Sequence, residues 1–125
     1  MAVTHAAALR TVLADAAVDS IDNGAAAGTL EFQTAGSVEV ATLTFSDPAF
    51  GAAAGPTATA AAISSDTSAT GGTITKAVLQ DSDGNDKILC STTATGGGGD
   101  IELSSVVVSA GQTVSVSSLT YTAPA

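Results

Sequence analysis

Between Thr4 and Asn23 the apolar residues recur at intervals of three and four, and beyond Gly28 they recur at intervals of two. The first pattern predicts a helix over residues 4–23. Its stripe is Leu9, Leu13, Ala16, Ser20 and Ile21, with Thr4 as the N-cap and Asn23-Gly24 as the C-terminal stop. Asp15, Asp19 and Asp22 lie off that stripe, on the side read as solvated. The helix needs a surface to receive Leu9, Leu13 and Ile21, supplied either by its own sheet or by a neighbouring subunit. These three residues are therefore the candidate packing and assembly interface.

The second pattern predicts strands at 29–34, 38–45, 57–63, 73–80, 87–92, 101–108 and 113–122, separated by Gly-, Pro-, Asp- and Ser-rich connections. Several of them change parity midway. Val38 and Val40 share one face of their strand, whereas Ala41, Leu43 and Phe45 share the other. Similar slips separate Ile101 and Leu103 from Val106 and Val108, and Val114 and Val116 from Leu119 and Tyr121. A one-residue slip marks a bulge or a crossing between sheets. The expected fold class is thus mainly β: an antiparallel β-sandwich or jelly-roll-like domain with one N-terminal α-helix. A single domain spans 1–125, with the helix at 4–23 and the sandwich at 28–122.

Composition modifies this picture. The 125 residues are 45% apolar, yet much of that share is alanine, and the aromatics are only Phe32, Phe45, Phe50 and Tyr121. Alanine buries little area, so at about 25 cal/mol per Å² the core gains less than the percentage implies. Small, under-filled domains are often completed by oligomerisation, and a homo-oligomer is expected here. Three Lys or Arg against twelve Asp or Glu give a net charge of −9. With no basic cluster there is nothing to neutralise phosphates, which argues against nucleic-acid partners and anionic membranes. No stretch approaches the roughly 18 apolar residues of a membrane span, and 1-MAVTHAAALR-10 lacks the pattern of a signal peptide. Synthesis in a cytoplasm is the expectation.

Candidate chemistry is sparse. Cys90 is the only cysteine and sits in a predicted strand, and His5 is the only histidine. Neither a zinc constellation nor a nucleophile–base pair can be assembled from spacing. The richest acidic stretch is 81-DSDGND-86. An EF-hand loop counted from Asp81 needs glycine at its sixth position and glutamate at its twelfth, but Gly84 falls fourth and Thr92 twelfth. Asx-turn formation by Asp81 and Asn85 with a positive φ at Gly84 explains the composition better than a cation held by Asp81, Asp83 and Asp86. The run 93-TATGGGGD-100 reads as a flexible loop, since no helix or lysine follows to make a phosphate cradle. No catalytic residue, cofactor or metal is assigned, and the chain is read as not an enzyme.

The segments 17-AVDSIDNGAAAGTLEF-32, 42-TLTFSDPAFGAAAGPTATAAAISSDTSA-69, 81-DSDG-84 and 107-VVSAGQTVSVSSLTYTAP-124 resemble a family of small Ala/Gly/Ser/Thr-rich virion structural proteins of tailed bacteriophages. The resemblance covers nearly the whole chain, and its most specific piece is the LTFSDPAFGAA-like core. It implies a non-enzymatic virion component, best matched by a capsid decoration or cement protein on the outer capsid surface. The implied partners are the major capsid protein and further copies of itself, a trimer being favoured. A tail-tube or head-to-tail component, and a receptor- or glycan-binding module of a tail tip, are the alternatives.

Overall fold

A computed structural model describes residues 3–123. The chain is mainly β, with one N-terminal helix and a curled, largely antiparallel, sandwich-like sheet, as the periodicity predicts. The helix α1 spans Ala7–Asp19 and ends in a single 3-10 turn, Ser20–Asp22. Among the described residues nine strands follow: β1 (Thr29–Gln33), β2 (Glu39–Thr44), β3 (Thr57–Thr59), β4 (Gly72–Thr73), β5 (Lys76–Gln80), β6 (Asp86–Ala94), β7 (Ile101–Leu103), β8 (Val107–Val108) and β9 (Thr120–Thr122). The main sheet has the order β2-β1-β5-β6-β7, while β3 pairs with β9 and β4 with β8 in two short ribbons.

The core lies between the main sheet and these ribbons. β1 contributes Leu30 and Phe32, β2 Val40, Ala41 and Leu43, and β5 Ala77 and Leu79. Phe45, Phe50, Ile74, Ile101, Val108 and Val114 close it from the other elements. The parity change in β2 is a bulge. Phe32 pairs with Ala41 but Gln33 pairs with Glu39, so Val40 is the extra residue, and both Val40 and Ala41 are buried.

The predicted strand 101–108 is two short strands in different sheets, β7 and β8, and of the predicted strand 113–122 only β9 and an isolated bridge at Val114 form. Two further features depart from the expected pattern. The helix starts at Ala7, with Ala6 at the N-cap and no side-chain cap; Thr4 lies outside it, and the first helical bond runs from the Arg10 N–H to the Ala6 carbonyl (3.0 Å). Its buried face is also rotated from the predicted stripe, being Ala14 and Val18, continued by Ile21 in the 3-10 turn. Polar side chains set that rotation. The Thr11 hydroxyl donates to the Gly55 carbonyl (2.7 Å), the Arg10 guanidinium donates to the Ala123 carbonyl (3.0 Å), and Asp15 accepts the Ala53 N–H (2.7 Å). At the helix exit Asp22 accepts the Ala49 N–H (2.8 Å). Two carboxylates expected in solvent therefore fasten the helix to the segment before β3.

The second departure is that β6 and β7 are parallel, Thr92, Thr93 and Ala94 facing Ile101, Glu102 and Leu103. Parallel neighbours normally need a crossover of a dozen or more residues, but here only residues 95–100 intervene. The glycine run makes this reversal possible. A Cβ on Gly97 would lie 2.7 Å from Thr93 Cβ, and one on Gly99 2.9 Å from Thr93 Cγ2, so the returning chain lies directly on its own strand. The loop is fixed by acids: Glu102 accepts the N–H groups of Gly96 (3.2 Å) and Gly98 (3.1 Å), and Asp100 accepts that of Ser91 (2.9 Å). The segment read as flexible is a closed, hydrogen-bonded turn.

Candidate functional site

The acidic stretch after β5 is a hairpin turn joining β5 to β6. Asp81 is buried, and both its oxygens are occupied. Oδ1 accepts the N–H groups of Asp83 and Asn85, each at 3.0 Å, and Oδ2 accepts the amides of Asn23 and Asn85, each at 3.2 Å. Lys87 Nζ stands 3.6 Å from Oδ2. The Asn85 N–H foremost, with these amides and the Asp83 N–H, outweighs desolvation and holds the Asp81 carboxyl well below the usual carboxylate range. Asp83 and Asp86 are exposed, and Asp86 accepts the Gln80 amide (2.8 Å) instead of converging on Asp81. Asp81 thus ties the turn to Asn23 beyond the helix. No group of three or more His, Cys, Asp or Glu residues among the described residues is placed to hold a metal.

Cys90 lies half-buried on β6 opposite Ala77. Burial, with the Asp100 charge adding to it, pushes its thiol up to about 11, which suits a small packing residue and not a nucleophile. His5 precedes α1 on a different element. No helix among the described residues is long and apolar enough to cross a membrane.

Two further surface features stand out. The three interface residues chosen from the sequence separate: Ile21 is in the core, Leu13 is half-buried, and Leu9 is 45% exposed. Val12 joins the outward row at 61% exposure, and Ala16 is exposed beyond it. Leu9, Val12, Leu13 and Ala16 have the i, i+3, i+4, i+7 spacing of one helical face, so α1 carries two apolar faces and only the Ala14–Val18 face is covered. The predicted stripe holds Leu9, Leu13 and Ala16 of this row and lacks only Val12.

A second open region runs along the seam between the main sheet and the C-terminal segment. Here β7 and residues 115–120 face each other across a cleft of about 440 Å³. A neighbouring cleft of about 360 Å³ continues it beneath β6 and β9 and shares Asp100, Ile101, Leu119 and Thr120 with the first. Cys90, Leu103, Val116, Leu119 and Tyr121 pack against the core from this seam yet stay only partly covered, and Leu89 beside it is 71% exposed.

Comparison with protein-family models, with curated proteins and with solved structures returned no match.

Proposed function

We propose that this chain is a non-enzymatic structural component of a tailed-phage virion, and that it acts as a decoration protein on the outer capsid surface, contacting the major capsid protein and copies of itself. The observation that carries the reading is the row Leu9, Val12, Leu13 and Ala16, exposed except at the half-buried Leu13, on a helix whose opposite face is already docked. An apolar helix face left open on a small acidic domain is suited to burial against a neighbour. Charge and chemistry fit this role. Function would require surface and not a reactive group, and the net charge of −9 disfavours a position against packaged DNA. In an icosahedral shell each contact is repeated by symmetry, so an interface of modest size suffices for stable attachment. The primary resemblance of residues 42–69 to phage virion proteins points to the same class.

The test is the copy number of the protein in purified virions, by quantitative mass spectrometry against the major capsid protein, with imaging to place it. A ratio near one, or a simple fraction of it, together with density on the shell exterior supports decoration. A ratio of that size with density along the tail moves the protein to a tube, a handful of copies moves it to a connector or tip, and absence from particles ends the virion reading.

A further inference from the structure

We propose that the gap between β7 and residues 115–118 is a docking slot for an extended strand supplied by a different protein, neutral to basic in character. The inference rests on the backbone lining the seam and does not depend on the virion reading.

The hydrogen-bond register of β7 establishes one wall. The Leu103 carbonyl accepts the Thr95 N–H at 2.9 Å, so Leu103 directs its peptide groups toward β6. Peptide groups alternate in direction along a strand, so those of Glu102 point the other way, into the cleft. β7 is the last strand of the sheet order, and among the described residues no strand pairs with it on this side. The opposite wall is unusual in the same respect. Val114 exchanges both hydrogen bonds with Asp66, and the Leu119 carbonyl accepts the Ala60 N–H, but between them Ser115, Val116, Ser117 and Ser118 form no hydrogen bond within the described residues, through backbone or side chain. The outward peptide groups of Glu102 and the segment 115–118, which has no internal hydrogen bond, therefore lie on opposite walls of the cleft of about 440 Å³.

Backbone groups with no internal partner are the complement of an added strand, which satisfies a sheet edge with main-chain bonds and takes its specificity from alternate side chains. Leu103, Val116 and Leu119, each only partly covered, would receive the inward residues of such a strand. The charge of the slot selects among occupants. Its lining holds Asp100 and Glu102 and neither lysine nor arginine. A second copy of this chain would bring a further −9 to the interface, whereas a strand carrying Lys or Arg at its outward positions would relieve the repulsion.

The probe is a capped peptide of about seven residues with alternating valine and lysine, long enough to traverse walls of three to four residues. Binding is followed by amide hydrogen exchange and by NMR titration of the intact chain. The expected result is slowed exchange at Glu102 and at residues 115–118. Binding should fall about tenfold when glutamate replaces lysine at low salt, and should be lost when alternate peptide nitrogens of the probe are N-methylated. Ser117→Pro, at an exposed position without hydrogen bonds, should weaken binding while leaving the thermal midpoint unchanged. The proposal is overturned by protection absent from these amides, by binding that survives N-methylation, or by concentration-dependent protection of the same amides without peptide. The last outcome would make the occupant a second copy.

Discussion

The two faces of α1 should respond to substitution in opposite ways. Ile21 is fully buried and contacts Gly28 so closely that a Cβ there would lie 2.6 Å from its Cγ2. Ile21→Ala removes three carbon atoms from a site that cannot easily collapse, at about 0.8 kcal/mol per methylene plus a cavity term, giving about 3 kcal/mol. An unfolding entropy of about 2.1 cal/mol/K per residue turns that into a fall of roughly 11 °C in midpoint for a chain of this length. Leu9→Asp acts on the outer face, in the first turn of the helix. Aspartate loses about 0.5 kcal/mol of helix propensity against leucine, but a carboxylate at a helix N-terminus regains about as much from the dipole. The monomer should therefore change by no more than about 0.5 kcal/mol, or roughly 2 °C. In an assembly the same carboxylate would be buried in an apolar contact, and association should weaken at least about tenfold. Thermal unfolding followed by circular dichroism reads the first quantity, and sedimentation or particle loading reads the second. If Leu9→Asp lowered the midpoint as far as Ile21→Ala, the outer face would be internal and the assembly argument would fail. If Leu9→Asp left both quantities unchanged, the row would be idle surface.

Three further outcomes are expected. Gly97→Ala should cost about 1–3 kcal/mol by chemical denaturation, because the new methyl meets Thr93 and the Ala94 carbonyl at 2.7–3.0 Å, and faster amide exchange should be confined to the β6–β7 region; an unchanged midpoint would mean that the loop does not lie on its strand. Asp81→Asn should destabilise the hairpin in a pH-dependent way. Since the folded state depresses the Asp81 pKa, its stabilisation is complete above the unfolded value of about 4 and disappears as pH falls through the folded value. The gap between wild type and variant in urea titrations should accordingly be constant near neutrality and shrink in acid, and a gap that widened in acid would refute the assignment. Cys90, with its thiol pushed up to about 11, should be ionised to about one part in a thousand at pH 8 and should react with a disulfide reagent far more slowly in the native than in the urea-unfolded chain. Equal rates would show that burial does not control it.

What sequence periodicity could reveal was the part of the fold in which side-chain identity alone distinguishes the faces. Val40 and Ala41 are adjacent and both apolar, which no regular strand on a one-sided core explains, and the structure resolves them as a bulge against Gln33. The Asp81–Asn85 turn was legible because Asx chemistry is local. The helix was harder. With alanines at 14, 16 and 17, hydrophobicity cannot say which of them is inside; Ala14 is buried and Ala16 exposed, and the difference was decided by Thr11 and Asp15 reaching backbone groups more than thirty residues away. The return of the chain over Thr93 was equally hidden. A run of glycines looks the same whether it is loose or pressed against a strand, because the contact that requires glycine is formed only after folding.

These misreadings share one physical cause. With twelve carboxylates and three basic side chains, most acids have no cation to meet, and backbone N–H groups are the remaining strong donors. Asp15, Asp22, Asp66, Asp81, Asp100 and Glu102 all accept main-chain N–H bonds, each fixing a loop or helix end that apolar contacts alone would leave loose. Charged residues thereby take over part of the work of core packing. Leu9 and Val12 on α1 and Leu89 on β6 stay outside the core, so a domain poor in large apolar residues still carries several of them on its surface. The acidic composition and the surface apolar residues then belong to one arrangement: an apolar core whose loops and helix ends are pinned by carboxylates, with Leu9, Val12 and Leu89 left outside it.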